Sequence, residues 1–499
     1  MKTLGEMLHR VSAWLLLAAL AVAPWLLGTE PPWAIYSVLC MLGAAAACWA
    51  AGLFLRGGER RPPINAATVL AGLLLVQGFW MTANPVSKYD PATRTFEKIR
   101  AGGLLPGSVD GHSSRLAMLS FGVLFLVFHV ALDHAQGVGA GGNVNGKFGP
   151  AGETFRRALA WVAAGTGASV AVLGILQRAG ATDFLLSYMN PQEREPFGPF
   201  NYHVSAGVFL LLALPLAAVL AVRAWVSGKI RTGWIAGALA ALILAGIFVD
   251  TARSAVVMAV VLAAVLGIAI WRTLSRVMPD GPHASRKWWW FTAAGVTAAL
   301  VAGAALTAAL MPAKWALLRR QLGWDSPRMI LWRIDANMAW DAGVWGTGPG
   351  TFAVEFPGSP RLDRKLYKLW IVTYHTPGNR VSIWSHAHQD VLQAFIEWGY
   401  VGGLLWLALG ATTVAAGWRA CRRSTGGPAS ARLLALGALA AVLVVLAGGL
   451  FDFPLQVLVL QAYATCLAAV LWAEGGMSWK RLWGKDAGGI GQPIQHATF

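Results

Sequence analysis

The sequence predicts an all-α polytopic membrane protein with about 12 transmembrane helices and a mainly helical extracytoplasmic lid between helices 9 and 10. Hydrophobic residues make up 56% of the 499 residues and charged residues only 13%, whereas soluble domains carry roughly 25% charged residues. The chain also contains 25 Trp and 57 Gly, residue types that suit membrane interfaces and bilayer helices. Its apolar residues fall into long runs separated by short basic loops.

Apolar runs of about 17–25 residues are long enough to cross a membrane. We predict helices at about 11–28, 33–55, 66–82, 116–133, 158–177, 203–222, 232–250, 255–271, 289–311, 391–416, 432–450 and 455–473. The first run has no clear small-residue cleavage site, so we interpret it as a retained helix. The resulting segments are helices 1–9 within 1–311, with outer loops at about 83–115 and 178–202, a lid at 312–388, helices 10–12 within 389–474, and a tail at 475–499.

The distribution of positive charge predicts the orientation. More than half of the 40 Lys and Arg residues fall in loops on the side that carries both termini, and cytoplasmic loops of membrane proteins are enriched in these residues. We therefore expect both termini in the cytoplasm and the lid outside. The net charge of +17 is explained by this topology, and without a basic helix or an RNP-like aromatic pattern no nucleic-acid partner is expected. The four cysteines show no CxxC or Cys/His zinc spacing, so no disulfide framework, metal or cofactor is predicted.

Polar residues at the predicted outer edge are candidates for function. His388 ends a polar segment at the mouth of an apolar run, where an imidazole can transfer protons near neutral pH or can simply be an interfacial side chain. His386 and His388 have no third ligand at metal-binding spacing. Glu397 is an intramembrane carboxylate that either serves function or bonds a neighbouring helix. Asp452, in the turn before the last helix, is placed to orient a partner.

Two arginines belong to the same predicted edge. Arg253 lies in the short turn between two helices, and Arg328 follows Asp325-Ser326-Pro327 at a predicted helix start. Asp325 or Ser326 can cap that helix, with Pro327 in its first turn. A guanidinium binds phosphate bidentately and keeps its charge. The alternatives are a snorkelling side chain for Arg253 and a solvated helix charge for Arg328.

These residues form an ordered set of motifs. His388-Gln389, nine residues, and then Gly399-Tyr400-Val401-Gly402 resembles the signature of the O-antigen ligase and polymerase superfamily. On this interpretation Gly399, Gly402 and Gly403 are helix-packing positions. Ser326-Pro327-Arg328 with Leu331-Trp332-Arg333, followed by Gly346-Thr347-Gly348-Pro349-Gly350, resembles the family's arginine–tryptophan helix and its Gly-Val-Gly-Pro-Gly-like turn.

Two further segments are similar to motifs of the same superfamily. Thr251-Ala252-Arg253 resembles its Thr-Ser-Arg turn, with Ala252 replacing a small polar residue. Gly198-Pro199-Phe200-Asn201-Tyr202-His203 resembles its Gly-Thr-Phe-x-Asn-Pro-Asn segment, but Tyr202-His203 departs from Pro-Asn. The motifs span roughly residues 196–456.

The resemblance implies a metal-independent, inverting glycosyltransferase at the periplasmic face of the bacterial inner membrane. The donor would be a glycan on undecaprenyl diphosphate. The acceptor hydroxyl would belong to a lipid A–core sugar in a ligase, to the next repeat unit in a polymerase, or to a protein Ser/Thr in an O-oligosaccharyltransferase. The residues implied are His388 as catalytic base, Arg253 and Arg328 as diphosphate ligands, and Gln389, Asn201, Asp452 and Glu397 in support.

A transporter of lipid-linked glycans is the alternative from a different class. Membrane lipids would be partners in either case. A transporter is expected to carry charges deep within several helices and broken helices at the midplane. Because the charged residues here gather at the predicted outer edge, the sequence favours the transferase.

Overall fold

A computed structural model describes residues 1–57, 64–90, 95–99, 105–137, 150–180, 196–250, 252–277, 327–358, 385–423 and 429–475. These residues are predominantly helical. Their α-helices are α1 (Lys2–Val22), α2 (Pro32–Leu55), α3 (Ala66–Ala83), α4 (Gly111–Gln136), α5 (Pro150–Arg178), α6 (His203–Val226), α7 (Ile230–Asp250), α8 (Arg253–Val277), α9 (Pro327–Asp341), α10 (Phe352–Glu355), α11 (Asp390–Arg423), α12 (Ala429–Gly448) and α13 (Leu458–Gly475).

Within the described ranges, 11 helices are long and apolar enough to cross a membrane. They coincide with the predicted runs, and the run predicted at 289–311 lies outside the described residues. The chain is therefore a helical, multi-pass membrane protein. Of the segment 312–388 predicted as a lid, the structure describes residues 327–358 and 385–388, while residues 312–326 and 359–384 lie outside the described part. The same holds for residues 476–499 of the predicted tail.

The membrane-spanning part is all-α as predicted, but the loop predicted at 83–115 contains a small β-sheet that was not predicted. Strands β1 (Ser87–Asp90) and β2 (Thr95–Lys98) pair antiparallel, with Ser87 opposite Lys98. Strands of this length leave too short an alternating pattern in the sequence to be recognised against the apolar runs. After the hairpin, Asp110 caps α4 by accepting backbone hydrogen bonds from His112 (2.9 Å) and Ser113 (3.3 Å), as expected for an N-cap aspartate.

Helix α6 lies at the centre of the bundle. Its sequence from Val204 to Val222 has no charged residue, and most of its side chains are buried, as expected for a helix that is apolar all round. Helices α5, α7, α8 and α12 pack around it, and α13 packs against α4, α11 and α12. This arrangement brings the start of α6 next to the turn between α12 and α13.

The two ends of the bundle differ in character. At one end, ion pairs join Arg156 to Glu474 and Arg223 to Glu153. The other end, which we call the His388 end, carries Tyr202, His388 and Asp452. Tyr202, His388 and Asp452 therefore lie together at the end of the bundle opposite these two ion pairs.

Helix α11 is broken at Gly399, which has φ 64° and ψ −168°. Only glycine adopts this conformation readily. The loop from Gly343 to Gly350 enters the break. Thr347 N–H donates to Ile396 O (3.0 Å) and Tyr400 N–H donates to Gly343 O (3.0 Å), so the loop satisfies backbone groups that a continuous helix would have paired internally.

The structure therefore changes the role expected for Gly399. A Cβ at this position would lie 2.4 Å from Gly346 N and from Val344 O, so glycine is required for a backbone crossing rather than for helix packing. Gly402 does serve close packing, because a Cβ there would lie 3.1 Å from the Gln77 side chain of α3.

Candidate active site

The backbone of His388 has an unusual conformation for a residue with a side chain. Its φ of 49° lies in the left-handed region, where non-glycine residues are uncommon and often belong to functional sites. The indole Nε1–H of Trp332, on α9, donates to His388 O at 3.2 Å. One turn before Trp332 on the same helix is Arg328. Helix α9 therefore holds the histidine backbone in place and also carries one of the candidate arginines.

Asp390, the first residue of α11, connects His388 to the turn between α12 and α13. Its backbone N–H donates to Gly449 O (2.8 Å), and its buried carboxylate accepts hydrogen bonds from Leu455 N (2.9 Å) and Gln456 Nε2 (3.1 Å). Asp390 was not among the predicted site residues, although a carboxylate at the start of an apolar run is a recognisable signal. Its contacts bring the turn that carries Asp452 against His388.

His388 and Asp452 form a hydrogen-bonded pair. The Nδ1 of His388 lies 3.1 Å from Oδ1 of Asp452, whose residue is only 5% exposed. An ionised carboxylate can only accept hydrogen bonds, so Nδ1 of His388 carries the proton. In the neutral form of the imidazole the free lone pair is then on Nε2. The hydrogen bond to Asp452 thus fixes both the tautomer and the direction of the ring.

Other groups share the Asp452 carboxylate. The backbone N–H of Phe453 donates to Oδ1 (3.1 Å), the hydroxyl of Tyr202 donates to Oδ2 (3.0 Å), and a guanidinium nitrogen of Arg328 lies 3.5 Å from Oδ2. Burial acts to raise the pKa of Asp452. The hydrogen bond and the charge of protonated His388, the charge of Arg328 and the hydrogen bond from Tyr202 outweigh burial and lower the pKa below its usual value. Asp452 is therefore a carboxylate at neutral pH.

Arg328 is close to the start of α9, which begins at Pro327 as predicted. Its side chain is 36% exposed, against 7% for that of Asp452. The guanidinium therefore contacts the site on one side and solvent on the other. The structure places Arg328 and His388 beside the two oxygens of the Asp452 carboxylate.

Arg253 is the first residue of α8, and its side chain lies outside the described part of the structure. Its backbone belongs to the His388 end, because a Cβ at Gly207, in the first turns of α6, would lie 3.2 Å from Ala252 Cβ and 3.0 Å from Ala255 Cβ. The turn before α8 is therefore beside the helix start that carries Tyr202.

The remaining supporting residues fall into two groups. Glu397 is 4% exposed and accepts backbone hydrogen bonds from Gly350 (2.9 Å) and Phe352 (3.2 Å), together with the Gln393 amide (2.9 Å). It therefore organises the loop after α9. Asn201 and Gln389 are half-buried, and within the described residues their side chains form no hydrogen bond.

Aromatic rings enclose the pair of His388 and Asp452. The Phe453 ring lies 4.9 Å from that of His388, 4.7 Å from that of His386 and 5.4 Å from that of Tyr202, the last at an interplanar angle of 4°. Tyr202 was noted in the sequence only as a departure from a motif, and Trp332 only as part of one. Among the described residues, no cluster of three or more His, Cys, Asp or Glu is arranged to hold a metal ion.

Fold and site together define a multi-pass helical membrane protein with a histidine–carboxylate pair and an arginine at one end of its bundle. Comparison of the chain with models of known protein families gave no match. Comparison with curated proteins gave no significant match either.

Proposed function

We propose that the protein is a membrane glycosyltransferase of the O-antigen ligase type. It would move a glycan from undecaprenyl diphosphate to an acceptor hydroxyl, such as that of a lipid A–core sugar, by a metal-independent, inverting reaction. The observation that carries this proposal is the His388–Asp452 hydrogen bond of 3.1 Å beside the partly exposed guanidinium of Arg328. The motif resemblance described above supplies the substrate class.

The hydrogen bond to Asp452 prepares His388 for proton transfer. In the proposed reaction Nε2 of His388 takes the proton of the acceptor hydroxyl while that oxygen forms a bond to the anomeric carbon of the donor. The imidazolium that results is stabilised by the Asp452 carboxylate next to it. A positioned general base of this kind contributes typically about 10²–10⁴-fold to the rate.

The leaving group explains the need for arginine. As the new bond forms on the face opposite the diphosphate, the bond from the anomeric carbon to the phosphate oxygen breaks, and its electron pair remains on the lipid diphosphate. Arg328, together with Arg253, would bind that oxygen and stabilise its developing charge, since preorganised positive groups act most strongly where charge appears. Glu397 and Asp390 would hold the loop and the turn that position these groups.

The location proposed is the periplasmic face of the bacterial inner membrane, with both termini in the cytoplasm. The end opposite the His388 end carries the basic loop residues, including Arg56, Arg157 and Arg231, which supports a cytoplasmic placement by the positive-inside rule. The segment at 312–388 would then act as a periplasmic lid over the site. Labelling of single cysteines introduced at exposed loop positions, in intact cells, tests this orientation.

The reaction is tested with purified protein in lipid nanodiscs and an undecaprenyl-diphosphate-linked glycan carrying a fluorescent label. Three parallel reactions supply a lipid A–core acceptor, a second lipid-linked glycan, or a Ser/Thr peptide. Product in one arm identifies a ligase, a polymerase or a protein transferase respectively. No product in any arm, with label instead crossing the bilayer of sealed vesicles, would favour the transporter.

His388→Ala is the decisive variant, and His386→Ala is its matched control. His386 has the same side chain two residues away and also packs against Phe453, but the hydrogen bond to Asp452 is made by His388. Loss of His388 should lower the transfer rate by about 10²–10⁴-fold, whereas His386→Ala should retain most activity. Equal activity in the two variants would exclude His388 as the base.

A further inference from the structure

Tyr202 lies where the chain departs from the segment that it otherwise resembles, because Tyr202-His203 replaces Pro-Asn. A proline has no side-chain donor, whereas a tyrosine hydroxyl can reach a distant acceptor. In the structure the hydroxyl of Tyr202 donates to Oδ2 of Asp452 at 3.0 Å, from a position 250 residues earlier in the chain. The residue that departs from the motif is thus part of the site.

The position of Tyr202 is fixed by the turn that precedes it. Phe197 and Phe200 exchange backbone hydrogen bonds of 3.0 and 3.1 Å across Gly198, and the amide of Gln177 on α5 donates to Gly198 O at 2.8 Å. On the other side the Tyr202 ring stacks on Phe453. Because the backbone and the ring are both held, the hydroxyl has a defined direction toward Asp452.

The two oxygens of Asp452 have different partners. Oδ1 accepts from His388 and from the backbone of Phe453, while Oδ2 accepts from Tyr202 and faces Arg328 at 3.5 Å. Charge-assisted arginine–carboxylate hydrogen bonds are shorter, about 2.7–2.9 Å, and frequently bidentate. The tyrosine hydroxyl occupies the oxygen that Arg328 would otherwise approach, and the guanidinium stays loosely held.

We propose that Tyr202 is a positioning residue that keeps the Asp452 carboxylate turned toward His388 and prevents Arg328 from closing onto it, which leaves the guanidinium open to the donor's diphosphate. This inference rests on the proposed function. Tyr202 acts through Asp452 and Arg328 and has no role in bond making or breaking.

Tyr202→Phe tests this role, because phenylalanine keeps the stacked ring and removes the hydroxyl. The KM for the lipid-linked donor should rise roughly three- to tenfold as Arg328 closes on Asp452. Tyr400→Phe is the matched control, because the Tyr400 hydroxyl donates to Trp340 O (3.0 Å) at the same end.

A double-mutant cycle with Asp452→Asn separates positioning from general damage. If Tyr202 acts through Asp452, Tyr202→Phe should change the kinetics of the Asp452→Asn protein by less than about twofold. Fully additive losses would overturn the inference, as would a Tyr202→Phe protein whose KM for the donor matches the wild type, or a Tyr400→Phe protein whose KM rises as far.

A second readout does not depend on transfer. The rate at which diethyl pyrocarbonate modifies His388, measured by peptide mass spectrometry across pH, should differ between Tyr202→Phe and wild type and be unchanged in Tyr400→Phe. If the wild type transfers no glycan to any acceptor, the proposed function fails while this measurement still decides the role of Tyr202. Identical modification profiles in all three proteins would show that Tyr202 does not position the pair.

Discussion

Replacing Asp452 by Asn tests the arrangement at the centre of the site. The carboxylate accepts hydrogen bonds from His388, Tyr202 and the Phe453 backbone and faces Arg328. An amide of the same shape has one accepting oxygen. If that oxygen stays toward His388, the amide NH₂ faces the Arg328 guanidinium and the ion pair is lost. If the amide is flipped, its NH₂ donates to Nδ1 of His388 and the imidazole proton moves to Nε2. Nε2 can then no longer take the proton of the acceptor hydroxyl.

The second orientation sets the size of the effect. A comparable exchange in a serine protease triad leaves the geometry intact but lowers kcat about 10⁴-fold through the wrong tautomer. We expect Asp452→Asn to lower kcat by about 10³–10⁴-fold, which corresponds to about 4–5.5 kcal/mol of transition-state stabilisation. The assay is single-turnover transfer of labelled glycan in nanodiscs. Asp341→Asn, an exposed aspartate at the end of α9, is the control.

An Asp452→Asn protein that turns over within threefold of wild type, while His388→Ala is inactive, would refute this role of Asp452. That result would mean that the histidine works without a fixed tautomer. A thermal melt of the purified protein in detergent must accompany the assay, so that loss of activity is not confused with loss of fold.

Three further variants test the surrounding structure. Gly399→Ala should abolish the folded protein in detergent, because its Cβ would lie 2.4 Å from Gly346 N at a φ that alanine rarely adopts; a normal gel-filtration profile would contradict this. Glu397→Ala leaves the N–H groups of Gly350 and of the buried Phe352 without their acceptor. The buried group alone costs about 1–3 kcal/mol, so the apparent melting temperature should fall by several degrees. Burial raises the pKa of Asp335 from 3.8 to about 8. Between these values the folded protein keeps a proton that the unfolded chain releases. The folded state therefore loses stability as the pH rises from about 4 to 8. Asp335→Asn should therefore flatten the melting temperature across that range and raise it at pH 8; a pH dependence equal to wild type would refute this assignment.

Much of the architecture could be predicted because long apolar runs leave few alternatives. Each predicted run in the described ranges is a helix long enough to span a membrane, and the starts predicted near Pro327 and Gln389 agree with α9 and α11. The hairpin of β1 and β2 was missed, since four-residue strands give no decisive periodicity. The side-chain position of Arg253 remains outside the described residues.

The sequence drew attention to individual residues but not to the contacts between them. His388, Arg328 and Asp452 each stood out as polar residues at a membrane edge. Nothing in the sequence states that Asp452 meets His388, because 64 residues separate them and the contact depends on how α11, α12 and α13 pack. Tyr202 gave an even weaker signal in the sequence, because a tyrosine near a helix start is common at membrane interfaces.

The break in α11 explains why the spacing between His388 and Gly399 matters. His388 is held by Trp332 of α9, and Gly399 is crossed by the loop that follows α9. The helical residues between them, Asp390 to Trp398, therefore act as a spacer that is anchored to the same neighbouring element at both ends. An insertion or deletion of one residue would rotate the helix by about 100° and turn Glu397 away from the backbone groups it binds. The nine-residue interval is thus a structural requirement for placing the histidine opposite Asp452, whatever reaction the site performs.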